Sequence, residues 1–208
     1  MDALESQTRT PLPCGQRIII VGPSCAGKTA LAMRLAALIN APFVELDALY
    51  WLPGWTPPAD DAFQRNVANA VRGDRWVVAG NYLRHLMPIA WPHAETIVWL
   101  DMPLRVTTWR VLRRSWRRWR TDELLWGTNR ERFWQQFRLW NRDDSLIRFN
   151  IETHRRRRTL FEAAMADSQW TDITFVRLCS ANAVRQYADG VERAVLQSRS
   201  PSLMPPVA

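Results

Sequence analysis

Short apolar segments and amphipathic segments alternate along most of the chain. Apolar segments of four to six residues, rich in β-branched or aromatic side chains, are typical of buried strands. This pattern predicts five strands, at residues 17–21, 43–46, 76–79, 96–100 and 173–178. Since strands that alternate with helices form parallel sheets with helices on both faces, we expect a three-layer α/β fold.

The segments between these strands carry apolar residues at helical spacing. Helices are predicted at residues 29–40, 61–73, 103–120, 131–166 (two helices or one broken helix) and 180–196. Proline, glycine and aromatic residues predict a loop at 48–61, and Gly127 and Asn129 predict turns within 121–130. We expect disorder at residues 1–14 and 199–208, so that the domain covers residues 15–198.

The sequence GPSCAGKT, at residues 22–29, follows the first predicted strand directly and opens the first helix. This context supports a phosphate-binding P-loop, in which backbone amides surround phosphate oxygens. In such a loop Lys28 reaches the β- and γ-phosphates and Thr29 binds Mg²⁺, so ATP and Mg²⁺ are the expected cofactors. The predicted nucleotide-binding residues are Gly22, Pro23, Ser24, Cys25, Ala26, Gly27, Lys28, Thr29 and Ala30, with Cys25 as a small filler.

Lys28 is the only lysine among 28 basic residues; the other 27 are arginines. A compact ammonium fits a tight loop where a planar guanidinium would clash. The single lysine at this position therefore supports the prediction of a phosphate-binding loop independently of the motif.

The net charge of +8 is local, because residues 105–158 hold 16 arginines and six acidic residues. Such a cluster attracts nucleoside phosphates or nucleic acid, or it forms a solvated helical face, as we expect for Arg155 to Arg158. No apolar segment approaches the roughly 20 residues of a membrane helix. The three cysteines are widely spaced and form no disulfide or zinc pattern, so a reducing, cytoplasmic setting is expected.

Several segments together resemble a known family: GPSCAGKT, ELDALYWLPGWTP, WVVAGNY, TIVWLDMP and WRVLRRSWRR. They are similar to the adenylate-kinase-like P-loop kinases known as DNA topology modulation proteins, from about residue 17 to 195. The resemblance implies a nucleoside-monophosphate-kinase-like fold with strand order 2-3-1-4-5. It also implies a helical lid, which we place at about residues 113–150.

The resemblance also implies site residues, with one departure. In adenylate kinases the third strand ends in Asp-Gly, and that aspartate approaches Mg²⁺ through water. Relatives in the resembling family read Asp-Gly-Asn-Tyr at this point, and here the position of the aspartate is Ala79. Adenylate kinases carry lid arginines four residues apart that contact ATP, a spacing that Arg110 and Arg114 match. Both would face one polyphosphate, since residues four apart share a helix face.

Two aspartates are candidates for the carboxylate that Ala79 does not supply. Asp47 is expected at the end of the second strand, where shikimate-kinase-like enzymes hold the acceptor hydroxyl, and it could also serve the metal. Asp101 ends the fourth strand and could support the metal, cap a turn or orient a P-loop group.

Other residues are candidates for binding the acceptor. Tyr50, Trp51 and Trp55 could line an acceptor or pack a small core of their own. Arg84 could bind an acceptor phosphate or lie at the surface. We therefore expect ATP-dependent phosphoryl transfer to a small acceptor such as a nucleotide or nucleoside, with Lys28, Asp47, Arg110 and Arg114 as catalytic residues. The alternative is a nucleotide-binding regulator or weak ATPase that acts on DNA through the basic segment.

Overall fold

The computed structural model describes residues 14–130, 133–134 and 145–199. Five parallel strands form one sheet in the order β2-β3-β1-β4-β7. This order is the predicted 2-3-1-4-5, because β5 and β6 form a separate antiparallel hairpin. The strands are β1 (Arg17–Val21), β2 (Phe43–Glu45), β3 (Trp76–Ala79), β4 (Thr96–Leu100), β5 (Leu124–Leu125), β6 (Asn129–Arg130) and β7 (Thr174–Leu178).

Helices cover both faces of the sheet. They are α1 (Lys28–Ile39), α2 (Leu46–Tyr50), α3 (Asp60–Ala70), α4 (Leu83–Ile89), α5 (Leu104–Arg120), α6 (Leu146–Ala166) and α7 (Ala181–Arg199). On one face, alternate strand residues such as Ile18 and Val98 join α1 and α7 in one apolar core. On the other, Ile19 and Ile97 pack with α3, α4 and Phe161 of α6 in a second core. The predicted three-layer α/β fold is therefore confirmed.

The chain turns into a helix earlier than predicted after the second strand. β2 ends at Glu45, and Leu46–Tyr50 form α2, where we predicted one more strand residue and then a loop. Leu46 is fully buried, and it lies so close to Gly80 that a Cβ on that glycine would come within 2.8 Å of it. Because Leu46 is buried against Gly80, the chain turns from β2 into α2 at this residue. Asp47 therefore lies in α2 and not at the end of a strand.

Other elements differ from prediction to a smaller extent. The pattern did not predict α4, and residues 121–130 contain the β5–β6 hairpin in addition to turns. Cys14, the last residue of the predicted disordered N-terminal segment, is fully buried in the first core, and α7 extends to Arg199. Residues 131–132 and 135–144 of the predicted lid, and residues 1–13 and 200–208, lie outside the described part. Within that part no helix is long and apolar enough to cross a membrane.

Candidate active site

The phosphate loop connects the carboxyl end of β1 to the amino end of α1. Gly22 adopts φ 145°, and a Cβ there would lie 2.6 Å from the Leu100 carbonyl oxygen, so only glycine fits. Gly27 adopts φ 105° and caps α1 without a side-chain hydrogen bond, which leaves the first amides of the helix available to an anion. The loop therefore has the local geometry predicted from its sequence.

Lys28 folds back onto the loop. Its Nζ atom donates hydrogen bonds to the carbonyl oxygens of Gly22 at 2.8 Å and Pro23 at 2.9 Å. Burial lowers the pKa of Lys28 to about 8, nearby Asp47 opposes this shift, and Arg157 and Arg114 add to it. The charges of a carboxylate on α2 and of arginines on α5 and α6 therefore act on the loop lysine.

The carboxylate that contacts the P-loop threonine belongs to Glu45. The Thr29 hydroxyl donates a hydrogen bond to Glu45 Oε1 at 3.0 Å. Glu45 ends β2 and is paired in register with Ala79, which ends β3. The sequence analysis predicted Asp47 at this place and missed Glu45, which stands two positions earlier. The exact end of β2 decides which of the two side chains meets the P-loop, and the sequence pattern placed that end one residue too late.

The Thr29–Glu45 pair fits a magnesium ion. A hydroxyl and a carboxylate are hard oxygen ligands, and Mg²⁺ in kinases is held by one or two such protein groups together with substrate phosphates and waters. Among the described residues no group of three or more histidine, cysteine, aspartate or glutamate side chains could hold a metal by itself. A metal at Thr29 and Glu45 would therefore depend on the nucleotide for further ligands.

Asp47 is the second residue of α2, two positions beyond the end of β2, and its side chain meets an aromatic residue. Its Oδ1 atom accepts a hydrogen bond from the Tyr82 hydroxyl at 2.8 Å. Burial first, and the Asp47 charge second, raise the pKa of Tyr82 far above its usual value, so this hydroxyl remains a donor. A carboxylate held in this way keeps its second oxygen for another partner.

Tyr50, Trp51 and Trp55 form a continuous aromatic series. The Tyr50 ring meets Trp51 edge-on at 5.0 Å between ring centroids and lies 4.5 Å from Tyr82, and Trp51 meets Trp55 at 5.6 Å. The rings pack on one another beside Asp47, which agrees with a small aromatic core. Trp51 and Trp55 also remain partly accessible, so they could line an acceptor as well.

Asp101 is held by two arginines. Its side chain is 5% exposed, and Oδ2 lies 2.6 Å from Arg177 and 3.1 Å from Arg158. This arrangement ties β7 and α6 to the end of β4. The metal, capping and orienting roles considered for Asp101 stay predictions.

Arginines from two helices reach the P-loop. Arg110 of α5 donates to the carbonyl oxygens of Cys25 at 3.4 Å and Ala26 at 3.2 Å. Arg157 and Arg158 of α6 line a small cleft together with Gly22 and Pro23. The expectation of a solvated face does not hold for Arg157, which is half-buried where α6 lies over the end of the sheet. Arg155, Arg156 and Arg158 are exposed as expected.

Two asparagines, both missed by the sequence analysis, bind the backbone of the loop. Asn81, from the Gly-Asn-Tyr segment, accepts from the Gly22 amide at 2.9 Å and donates to the Gly22 carbonyl oxygen. Asn150 of α6 is fully buried, accepts from the Ser24 amide at 3.2 Å and donates to the Ser24 carbonyl oxygen at 3.4 Å. Asn81 follows Gly80 in a recognisable motif, whereas no local signal marks Asn150.

Arg84 lies apart from this group. Its side chain is 85% exposed, and its guanidinium is 3.7 Å from the Asp60 carboxylate at the start of α3. A role in binding an acceptor phosphate stays a prediction.

No protein-family model matches the chain. No curated protein matches it either. The similarity to DNA topology modulation proteins therefore stays a prediction.

Three solved structures are similar to the chain at low sequence identity. A gluconokinase from Sinorhizobium meliloti 1021 is 16% identical, with a TM-score of 0.48, over 90% of this chain and 94% of its own. A sugar kinase from Janibacter sp. HTCC2649 is 15% identical, with a TM-score of 0.43, over 88% and 92%. A shikimate kinase from Bacteroides thetaiotaomicron is 16% identical, with a TM-score of 0.46, over 87% and 98%.

The strand order and the glycine geometry of the loop define a three-layer α/β P-loop fold of the nucleoside-monophosphate-kinase type.

Proposed function

We propose that the protein transfers the γ-phosphoryl group of ATP to a hydroxyl or phosphate oxygen of a small acceptor such as a nucleotide or nucleoside. The observation that carries this proposal is the Thr29–Glu45 contact, which places a carboxylate beside the P-loop hydroxyl although Ala79 supplies none. This pair of hard oxygen ligands suits a Mg²⁺–nucleotide complex, which phosphoryl transfer from ATP requires.

The P-loop residues have distinct roles in the proposed reaction. The amides of the loop and of the first turn of α1 bind phosphate oxygens. Lys28 exchanges its hydrogen bonds to the Gly22 and Pro23 carbonyls for phosphate oxygens. Thr29 and Glu45 are the residues that would hold Mg²⁺, which would neutralise phosphate charge.

Asp47 orients the acceptor. The acceptor oxygen attacks the γ-phosphorus, and the bond from this phosphorus to the bridging oxygen of ADP breaks. When the acceptor is a hydroxyl, its proton passes to the Asp47 carboxylate. Tyr82 holds one carboxylate oxygen, and the aromatic residues Tyr50 and Trp51 form the adjoining wall of the acceptor site.

Cations from α5 and α6 complete the site. Arg110 and Arg114 are on α5, and Arg157 is on α6 near Lys28. Their charges balance those of the transferring phosphoryl group, as arginines do in other phosphoryl transfer enzymes. We place Asp101 outside the metal site, as the residue that holds Arg158 and Arg177.

A screen of ADP release tests the proposal across nucleosides, nucleotides and small alcohols, with DNA included. A kinase releases ADP in proportion to one class of acceptor, and Lys28→Ala removes the response. ADP release that responds to none of the acceptors would contradict the proposal.

One observation favours the alternative function on DNA. Helix α5 carries seven arginines and no acidic residue, and Trp109 and Trp116 on this helix are 66% and 45% exposed. Arginines and exposed aromatic rings are the groups that bind single-stranded nucleic acid. Under this alternative, DNA stimulates ADP release with a steep dependence on salt concentration, and small acceptors do not.

A further inference from the structure

The β5–β6 hairpin rests on the loop that follows α2. Asn129 is buried; its Oδ1 accepts from the Trp55 amide at 2.9 Å and its Nδ2 donates to the Leu52 carbonyl oxygen at 3.1 Å. The Trp55 indole donates to the Arg130 carbonyl oxygen at 3.2 Å. These three hydrogen bonds attach the hairpin to the loop of residues 51–56, next to the proposed acceptor site.

The same hairpin reaches the proposed metal site. The Trp126 indole Nε1 donates to Glu45 Oε2 at 3.3 Å, and the Trp126 ring meets Trp55 edge-on at 5.8 Å. Glu45 Oε1 accepts from Thr29, so the two oxygens of one carboxylate have one partner in the P-loop and one in the hairpin.

We propose that Trp126 is a positioning residue that fixes the Glu45 carboxylate for a divalent cation through its indole hydrogen bond. This inference rests on the proposed function, in which Thr29 and Glu45 hold the metal. Trp126 touches neither nucleotide nor acceptor in this account and acts only through Glu45.

A half-buried glutamate has three side-chain torsions, and a single hydrogen bond to Thr29 leaves its carboxylate free to rotate about that contact. A second donor on the other oxygen removes this freedom, and a donor to a charged acceptor forms one of the stronger hydrogen bonds in proteins. When a cation replaces the Thr29 contact at Oε1, the Trp126 contact at Oε2 can persist and hold the ligand in place.

The hairpin also connects the metal to the acceptor. Asn129 and Trp126 are three residues apart in one hairpin, and they bind the loop of residues 51–56 and Glu45 respectively. The hairpin therefore spans from the proposed acceptor site to the proposed metal ligand.

The test uses Mn²⁺ as a probe of the ADP-bound protein, with electron paramagnetic resonance reporting free Mn²⁺. Trp126→Phe keeps an aromatic ring against Trp55 and removes only the indole donor. The matched control, Trp55→Phe, removes an indole donor whose acceptor is the Arg130 carbonyl oxygen. Glu45→Ala and the double variant Glu45→Ala/Trp126→Phe complete a cycle.

Trp126→Phe should weaken Mn²⁺ binding by about 10-fold, the order expected for one hydrogen bond to a charged group, while Trp55→Phe changes it less than about 3-fold. In the Glu45→Ala background, Trp126→Phe should have no further effect. Equal affinities for wild type and Trp126→Phe would overturn the inference and leave the proposed function standing. Failure of the wild type to bind Mn²⁺ with ADP would overturn the proposed metal site itself, and the inference with it.

Hydrogen exchange gives a second readout that needs neither metal nor turnover. Trp126→Phe should leave the amide protection of residues 51–56 close to that of wild type, because the Asn129 hydrogen bonds remain. Loss of protection throughout this loop would show that Trp126 serves hairpin docking in general, which contradicts a specific role at Glu45.

Discussion

Glu45 and Ala79 are paired in register at the carboxyl ends of the neighbouring parallel strands β2 and β3. The resemblance to adenylate-kinase-like proteins implies an aspartate at position 79. In this chain the carboxylate belongs to Glu45, on the neighbouring strand β2. The Thr29 hydroxyl contacts Glu45 at 3.0 Å. The substitution at position 79 is thus accompanied by an acidic residue that reaches the same P-loop hydroxyl.

The first prediction concerns this acidic residue. Glu45→Gln should raise the Mg²⁺ concentration needed for half-maximal turnover by about 10-fold or more, because the amide keeps the shape and loses the charge that attracts the cation. Titration of ADP release with Mg²⁺ measures the effect. Glu192→Gln, which removes a surface carboxylate paired with Arg34, is the control and should behave as wild type.

The second prediction separates the two aspartates that the sequence analysis considered. Asp47→Asn should lower turnover by about 100-fold, the usual range for loss of a positioned acid–base group. Asp101→Asn should lower thermal stability more than it lowers turnover per folded molecule, because Asp101 is buried between Arg158 and Arg177. Steady-state kinetics and thermal unfolding of both variants decide between these roles; a nearly silent Asp47→Asn would remove Asp47 from the reaction.

The third prediction concerns the shape of the loop cation. Lys28→Ala should abolish turnover, and Lys28→Arg should be severely impaired although it keeps the charge. The Lys28 ammonium binds two carbonyl oxygens inside the loop, and a planar guanidinium does not fit there. Near-wild-type turnover of Lys28→Arg would show that charge alone suffices.

The fourth prediction concerns pH. Burial lowers the pKa of Lys28 to about 8 in the free protein, and bound phosphate raises it by supplying negative charge. The lysine is therefore charged at pH 7 and neutral well above pH 8. ATP affinity should fall by about 10-fold per pH unit above this pKa, until the pKa of the complex is reached.

Calorimetry in two buffers of different ionisation enthalpy checks this prediction. Binding at pH 8.5 (about half a unit above the lowered pKa) should take up a proton, and binding at pH 6.5 should take up almost none. Lys28→Met should show neither proton uptake nor the loss of affinity. An affinity of the wild type that stays constant from pH 7 to pH 10 would contradict the prediction.

The fifth prediction concerns Asn150. Its side chain occupies the Ser24 amide, which a phosphate oxygen must take over when ATP binds. Asn150→Ala should therefore raise the affinity for a non-hydrolysable ATP analogue several-fold and lower the free energy of unfolding by about 1–2 kcal/mol, since buried hydrogen bonds are lost. Titration calorimetry and urea unfolding measure the two effects. A lower affinity would mean that Asn150 holds the loop in its binding conformation.

Local sequence patterns predicted the sheet and the loop, because both depend on short-range chemistry. Apolar segments mark the strands, and glycines with one lysine mark the P-loop. The residues missed depend on longer-range contacts. Glu45 was missed because burial of Leu46 under Gly80 ends the strand one residue early.

Asn150 and Arg157 were missed for a different reason. They stand on a helix whose sequence shows charge and amphipathicity, and nothing in it indicates that α6 lies over the P-loop. The same holds for the β5–β6 hairpin, whose contacts with Trp55 and Glu45 join segments about 75 to 81 residues apart.

The central claim is that this site transfers phosphate to a small molecule and not only to water. The most direct measurement follows radiolabelled γ-phosphate from ATP in the presence of the acceptor that most stimulates ADP release. The account predicts label in the acceptor in amounts equal to the ADP formed, and none with Lys28→Ala. Label recovered only as inorganic phosphate, with ADP release stimulated by DNA, would contradict it.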